Sequence, residues 1–244
     1  MSAVLVTAMS SVQARALSLD FEEFAHGEIA SVSNNPSYKG VVIAVDNANS
    51  SSGHPDLGVA FDSENEVDTR DPDLERGNGW ATGNLAPSTE LGNVLIIQEN
   101  GTGCGDGICD RPDDEANRQA GTITLDYSNL DETFNSFQFD LIDIDDVTAE
   151  GGSIEFKFLG GLVAFFDFES FADDFGAIWG DNSVNRIDLG EIGQFDEVVI
   201  TIGGSGGIDN ILATDSGIVV PEPSTFVLTA IGLAGLALYG RLRR

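Results

Sequence analysis

The chain has 244 residues, with 11 Lys+Arg against 41 Asp+Glu and a formal net charge of -30. So acidic a surface repels phosphate backbones, which excludes a nucleic-acid binder. Such acid either keeps an exported protein soluble or recruits divalent cations. In chain order, residues 1–16 come first. They are short, apolar and rich in small residues, with Val4-Leu5-Val6 as a weak apolar centre and Ala14-Arg15-Ala16 in the small-x-small form of a signal peptidase site. The early positive charge of a signal peptide is missing, so a start upstream of Met1 is expected, with cleavage after Ala16.

Residues 17–216 read as strands separated by Gly, Asn and Asp turns. Leu17, Leu19 and Phe21 alternate with polar residues, as do Phe137, Phe139 and Leu141, and Ile154, Phe156 and Phe158. Alternation with period two puts the apolar side chains on one sheet face. Val41 to Val45 and Val94 to Ile97 are unbroken apolar runs, as in strands covered on both faces. Further strands are expected at Leu57–Asp62, Gly121–Tyr127, Leu162–Phe168, Val184–Leu189, Glu197–Ile202 and Ile208–Ala213. Many short strands with glycine-rich turns predict an all-β, two-sheet sandwich of jelly-roll type.

Two polar excursions interrupt the strands, Ser63 to Pro87 and Gly101 to Ala120. Loops of this length are functional or disordered, and binding sites tend to sit on them. Trp80 lies in the first, within Gly77-Asn78-Gly79-Trp80; it either stacks on a sugar or closes the loop as a buried residue. The second holds Cys104 and Cys109, which read as one local disulfide. Asp143 and Asp145 form a further acidic cluster on one side of a strand end.

Gly203-Gly204-Ser205-Gly206-Gly207 fits G-x-S-x-G, but a nucleophile elbow needs a helix after the serine. Here a strand follows, and glycines suit a hairpin or bulge. A serine hydrolase is therefore disfavoured. Paired carboxylates for a glycosidase cannot be placed from so much acid. No catalytic residue is assigned.

The C-terminal end, residues 217–244, is sharper. Pro221-Glu222-Pro223 precedes an uncharged apolar run that includes Phe226, Leu228, Ile231, Leu233, Leu236, Leu238 and Tyr239. Arg241, Arg243 and Arg244 close the chain. The run predicts a single, short transmembrane helix with its arginines cytoplasmic and the body outside. These three features resemble the tail of PEP-CTERM proteins. The resemblance implies recognition and processing by an exosortase in an exopolysaccharide-producing Gram-negative bacterium.

The body opens on Leu19-Asp20-Phe21-Glu22 and closes on Gly206-Gly207-Ile208-Asp209-Asn210-Ile211. These ends resemble the terminal strands of jelly-roll modules in the carbohydrate-binding class. The resemblance implies that the first and last strands pair. It also implies a structural calcium held by Asp20, Glu22, Asp209 and Asn210, the alternative being solvated strand-edge acids. Calcium is the one cofactor expected. A non-enzymatic surface or matrix protein is the first reading, with a carbohydrate-binding module second and an extracellular glycosidase third.

Overall fold

The computed structural model describes residues 15–32, 35–64 and 71–215. The last two positions of the expected leader 1–16, Arg15 and Ala16, begin a strand, whereas residues 1–14 and the tail after Asp215 lie outside the described residues. So do the expectations placed on Pro221, Glu222, Pro223 and the anchor residues from Phe226 to Arg244.

Among the described residues twelve strands form two sheets: β1 (Arg15–Leu19), β2 (Val42–Asn47), β3 (Gly58–Asp62), β4 (Thr82–Gly83), β5 (Asn93–Ile97), β6 (Gly121–Asp126), β7 (Phe134–Ile142), β8 (Gly152–Phe158), β9 (Gly161–Asp167), β10 (Ser183–Phe195), β11 (Glu197–Ile202) and β12 (Gly207–Asp215). The large sheet has the order β3-β5-β12-β7-β10-β4, and β1 pairs with β12. The small sheet has the order β2-β6-β11-β8-β9 and is antiparallel throughout. In the large sheet β4 runs parallel to β10. The only helices among the described residues are single turns, including α1 (Val147–Glu150) and α2 (Phe171–Phe175). None is long and apolar enough to cross a membrane.

The sandwich follows from the alternation. In β6, Ile123 and Leu125 are buried while Thr122 and Thr124 are not; in β11, Val198, Ile200 and Ile202 turn inward. Between the sheets Phe137, Phe156 and Phe195 meet edge to face, with ring centroids 5.2 Å apart for Phe137–Phe156 and Phe156–Phe195. Edge-on pairs of this kind add about 0.5–1.5 kcal/mol each beyond burial.

A second apolar layer covers the outer face of the large sheet. Phe61, Val94, Ile96, Ile142 and Val184 point outward there and pack under Leu74, Trp80, Leu91 and Cys109. The two polar excursions thus fold back as a roof, because this sheet is apolar on both faces. That explains why all of β5 is buried. The expectation of double coverage does not hold for β2. Val41 and Ile43 are buried, but Val42 and Ala44 are only partly so. As an edge strand of the small sheet, β2 has a solvent side.

The glycines at 203–207 do not make a hairpin. They carry the chain from β11 in the small sheet to β12 in the large one. Gly203 is required there, because a Cβ would strike the Glu150 carbonyl oxygen.

Candidate functional site

The joint between the ends of the body brings several charged residues together. β1 lies beside β12, and Phe21 leaves the strand with φ +54. Asp209 sits on β12 directly opposite Asp140 on β7. Both are fully buried. Arg186 on β10 grips Asp140 with two hydrogen bonds, Nε to Oδ1 at 2.8 Å and Nη2 to Oδ2 at 2.7 Å. Burial still raises the Asp140 pKa, against the opposing pull of Arg186 and Asn210.

Asn210, at φ +49, turns its amide between the two carboxylates, 3.0 Å from Asp140 Oδ2 and 2.8 Å from Asp209 Oδ2. Asp209 Oδ1 has no hydrogen-bond partner. Burial pushes the Asp209 carboxyl up to about 9, and the charges of Asp140, Glu22 and Asp20 add to the shift. A fully buried carboxylate oxygen without a donor is costly unless a proton or a cation meets it.

Glu22 is anchored next to this pair, accepting from the Asn93 backbone N–H at 2.8 Å. Asn93 lies on β5, the strand that flanks β12, and its Nδ2 donates to the carbonyls of Phe21 and Phe24. Its Oδ1 is also without a partner. The joint therefore holds two orphaned side-chain oxygens near further carboxylates, whereas the groups of acids that converge within 4.8 Å of one another lie elsewhere among the described residues. Asp20 contributes less than the sequence suggests. Its Oδ1 is taken by Lys39 Nζ at 2.9 Å and Tyr38 Oη at 3.0 Å. Burial works against ionising Asp20, but these partners outweigh it and hold its pKa down.

Sequence reading missed Asp140 and Asn93. Asp140 had a signal: it is the one charge within Phe137 to Ile142, in a strand otherwise buried through its second half. Asn93 had none, because only the pairing of β5 with β12 brings it to the joint.

Trp80 is corrected as a sugar platform. It is 2 % exposed, and its Nε1 donates to the Thr89 carbonyl at 2.8 Å. The indole closes the roof and offers no face to a ligand. Cys104 and Cys109 are joined, and Cys109 is buried under the same roof.

Asp143 and Ser205 lie where the roof meets the sandwich. Ser205 Oγ is 2.8 Å from both Asp143 Oδ2 and Asp114 Oδ2, and the Gly206 N–H also donates to Asp114. A hydroxyl has one proton, so it serves one of these carboxylates and the other must carry its own. Burial pushes the Asp143 carboxyl up to about 7 and raises Asp114 well above its ordinary value. Ser205 has no histidine beside it: His26 accepts from the Asp62 N–H and His54 contacts Glu115.

The outer face of the small sheet is open. Register aligns Phe165, Glu155, Val199, Thr124 and Ala44 in one row across all five strands. The next row is Leu162, Lys157, Glu197, Asp126 and Val42. Phe165 is 52 % exposed and Leu162 is 64 % exposed. An aromatic ring beside carboxylates, a lysine and threonine hydroxyls is a surface on which a polar, ring-shaped ligand can lie.

Comparison with solved structures gives slight likenesses. A variant of the family 29 carbohydrate-binding module CBM29-2 matches with 15% identity and a TM-score of 0.28, covering 56% of this chain and 82% of that one. The extra C-terminal domain (X) of an exo-1,3/1,4-β-glucanase from a Pseudoalteromonas species matches with 12% identity and a TM-score of 0.34, covering 77% and 90%. An exo-β-1,3-galactanase from Phanerochaete chrysosporium matches with 13% identity and a TM-score of 0.27, covering 64% and 29%. Scores this low assign the chain neither ligand nor activity. Among curated proteins none matches. One family model does match: residues 219–244 are a PEP-CTERM protein-sorting motif, so the chain carries the address of an exported, exosortase-sorted protein.

Proposed function

We propose that this is a non-enzymatic surface or matrix protein of an exopolysaccharide-producing Gram-negative bacterium, with calcium clamping the joint of its first and last strands. The sorting motif at 219–244 is the observation that carries the reading. In this scheme the apolar run holds the chain in the inner membrane until the exosortase acts at Pro221-Glu222-Pro223, and the body is then released to the surface. Replacing the three residues (Pro221→Ala, Glu222→Gln, Pro223→Ala) leaves unprocessed chain in the membrane fraction. Normal surface release of that variant overturns the sorting step.

The orphaned oxygens of Asp209 and Asn93 support the calcium clamp. Asp209 and Asn93 would offer their free oxygens to the ion with Glu22 beside them, which offsets the repulsion of Asp209 by Glu22 and by the Arg186-bound Asp140. A melting temperature that rises with calcium in the parent, and not in Asp209→Asn, is the expected result. An unchanged melting temperature in calcium and in chelator rejects the clamp.

A second reading, carbohydrate binding, is favoured by the open small-sheet face with Phe165 at its edge. It differs from the first in one readout: glycan-array binding that is lost in Phe165→Ala. The glycosidase reading has no such support. Asp140 is gripped by Arg186, and the carboxyls at Ser205 are held by the Ser205 hydroxyl and the Gly206 N–H.

A further inference from the structure

His54 stands apart from the oxygen-only acid sites. It follows the turn Ser50–Ser52, just before β3. One of its ring nitrogens, one oxygen of Glu99 and one of Glu115 all lie within 4.8 Å of one another. Glu115 is the fixed member. Its side chain is fully buried, and its Oε2 is 2.5 Å from His54 Nδ1 and 2.9 Å from Asn47 Nδ2. Its Oε1 accepts from the backbone N–H and side-chain amide of Asn117. Asn47 is itself held, donating to the Gln98 carbonyl at 3.1 Å.

His54 and Glu99 are the adjustable members, both half-buried and each within reach of solvent. We infer that His54, Glu99 and Glu115 form a binding site for a first-row transition metal of the zinc class, with water as the fourth ligand. The chemistry selects the class. A neutral imidazole is a ligand for zinc, nickel or copper, whereas calcium takes oxygen. Two carboxylates balance the charge of a divalent ion. Tetrahedral bonds of about 2.0–2.2 Å place donors roughly 3.4 Å apart. The 2.5 Å contact of His54 Nδ1 with Glu115 is a hydrogen bond that the ion would replace, with rotation of the half-buried His54 and Glu99 side chains setting the ligand spacing. Asn47 and Asn117 fix the Glu115 carboxylate from behind, as the outer partners of metal ligands do.

His26 shows the contrast. Its Nδ1 accepts from the Asp62 N–H at 3.0 Å and its ring packs edge-on against Phe61. Burial lowers its pKa despite the nearby Asp62. It is a neutral packing group with no carboxylate pair to complete a site.

The site is independent of the calcium clamp and of the sorting tail. The test uses the full chain in detergent, stripped with chelator, dialysed, and titrated with zinc in excess calcium. One zinc per chain is expected, and cobalt in its place gives the visible absorption of a four-coordinate centre. His54→Ala and Glu99→Gln each weaken zinc binding by more than about tenfold, since even outer partners of metal ligands are worth about 10–100-fold. His26→Ala binds like the parent. No zinc uptake with calcium present, or unchanged uptake in both His54→Ala and Glu99→Gln, overturns the inference.

Discussion

On the large sheet, the outward-facing Phe61, Val94, Ile96 and Val184 are sealed under Leu74, Trp80 and Leu91. On the small sheet, the outward-facing Phe165 and Leu162 reach solvent, and Val199 and Thr124 are only partly covered. Both sheets share the same inner core, so the difference lies in what the outer faces are made of. Strand β5 is apolar on both sides and must be covered, with Ile142 at the end of β7 joining it. Strands β6, β8 and β11 alternate and can face water. The roof therefore serves stability, while the open face remains available to a partner. An aromatic residue carries opposite meanings on the two faces: Trp80 is structural, and Phe165 is offered outward.

Removing the roof's centre should have the largest effect. Trp80→Ala deletes a fully enclosed indole and should cost about 3–5 kcal/mol in denaturant unfolding. A cost near that of a surface change, below about 0.5 kcal/mol, would mean that the roof contributes little and would break the comparison.

The seam between roof and sandwich gives the next effect. Asp143 on the sandwich and Asp114 in the roof share Ser205, and both carboxyls are raised by burial. A folded pKa above the unfolded one contributes stability that is complete below the unfolded value. It is lost as pH rises through the folded value. Stability should therefore fall between about pH 4 and pH 7, by on the order of a few kcal/mol. Asp143→Asn should make that limb shallower, with the raised Asp114 and Asp209 carboxyls accounting for the slope that remains. A pH–stability curve with the same slope in the variant would remove the seam from the account.

The disulfide sharpens the comparison from within the roof. A loop as short as Cys104 to Cys109 removes little chain entropy, so reduction should cost about 2 kcal/mol or less. A larger loss would mean that the bridge also holds the packing of Cys109. Phe165→Ala should have the smallest effect on stability, within about 0.5 kcal/mol, because half of the ring is already in solvent. On the carbohydrate-binding reading its readout is the loss of glycan retention.

Much of the fold is legible in the residues. Alternation locates β6, β8 and β11, and the unbroken Val94 to Ile97 marks β5 as covered on both faces. The same cue misleads for Val41 to Val45, because run composition does not say that β2 ends a sheet. The roof is also hidden. Its polar sequence conceals Leu74 and Trp80, whose burial depends on the apolar outer face beneath them.

The candidate joint is half legible. Glu22 and Asp209 are visible at the ends of the body, and β1 does pair with β12. Asp140 and Asn93 come from strands far away in sequence, and Lys39 claims Asp20 through a contact that spacing does not reveal. The His54, Glu99 and Glu115 grouping is illegible for the same reason, since His54 comes from the β2–β3 loop and the two glutamates from distant parts of the long β5–β6 loop.

Mass measurement of the chain recovered from the surface of the producing cell tests the sorting reading most directly. A polypeptide that retains Asp215 but lacks Arg241, Arg243 and Arg244 is the predicted product. An intact chain ending at Arg244, recovered from the cytosol, would contradict it.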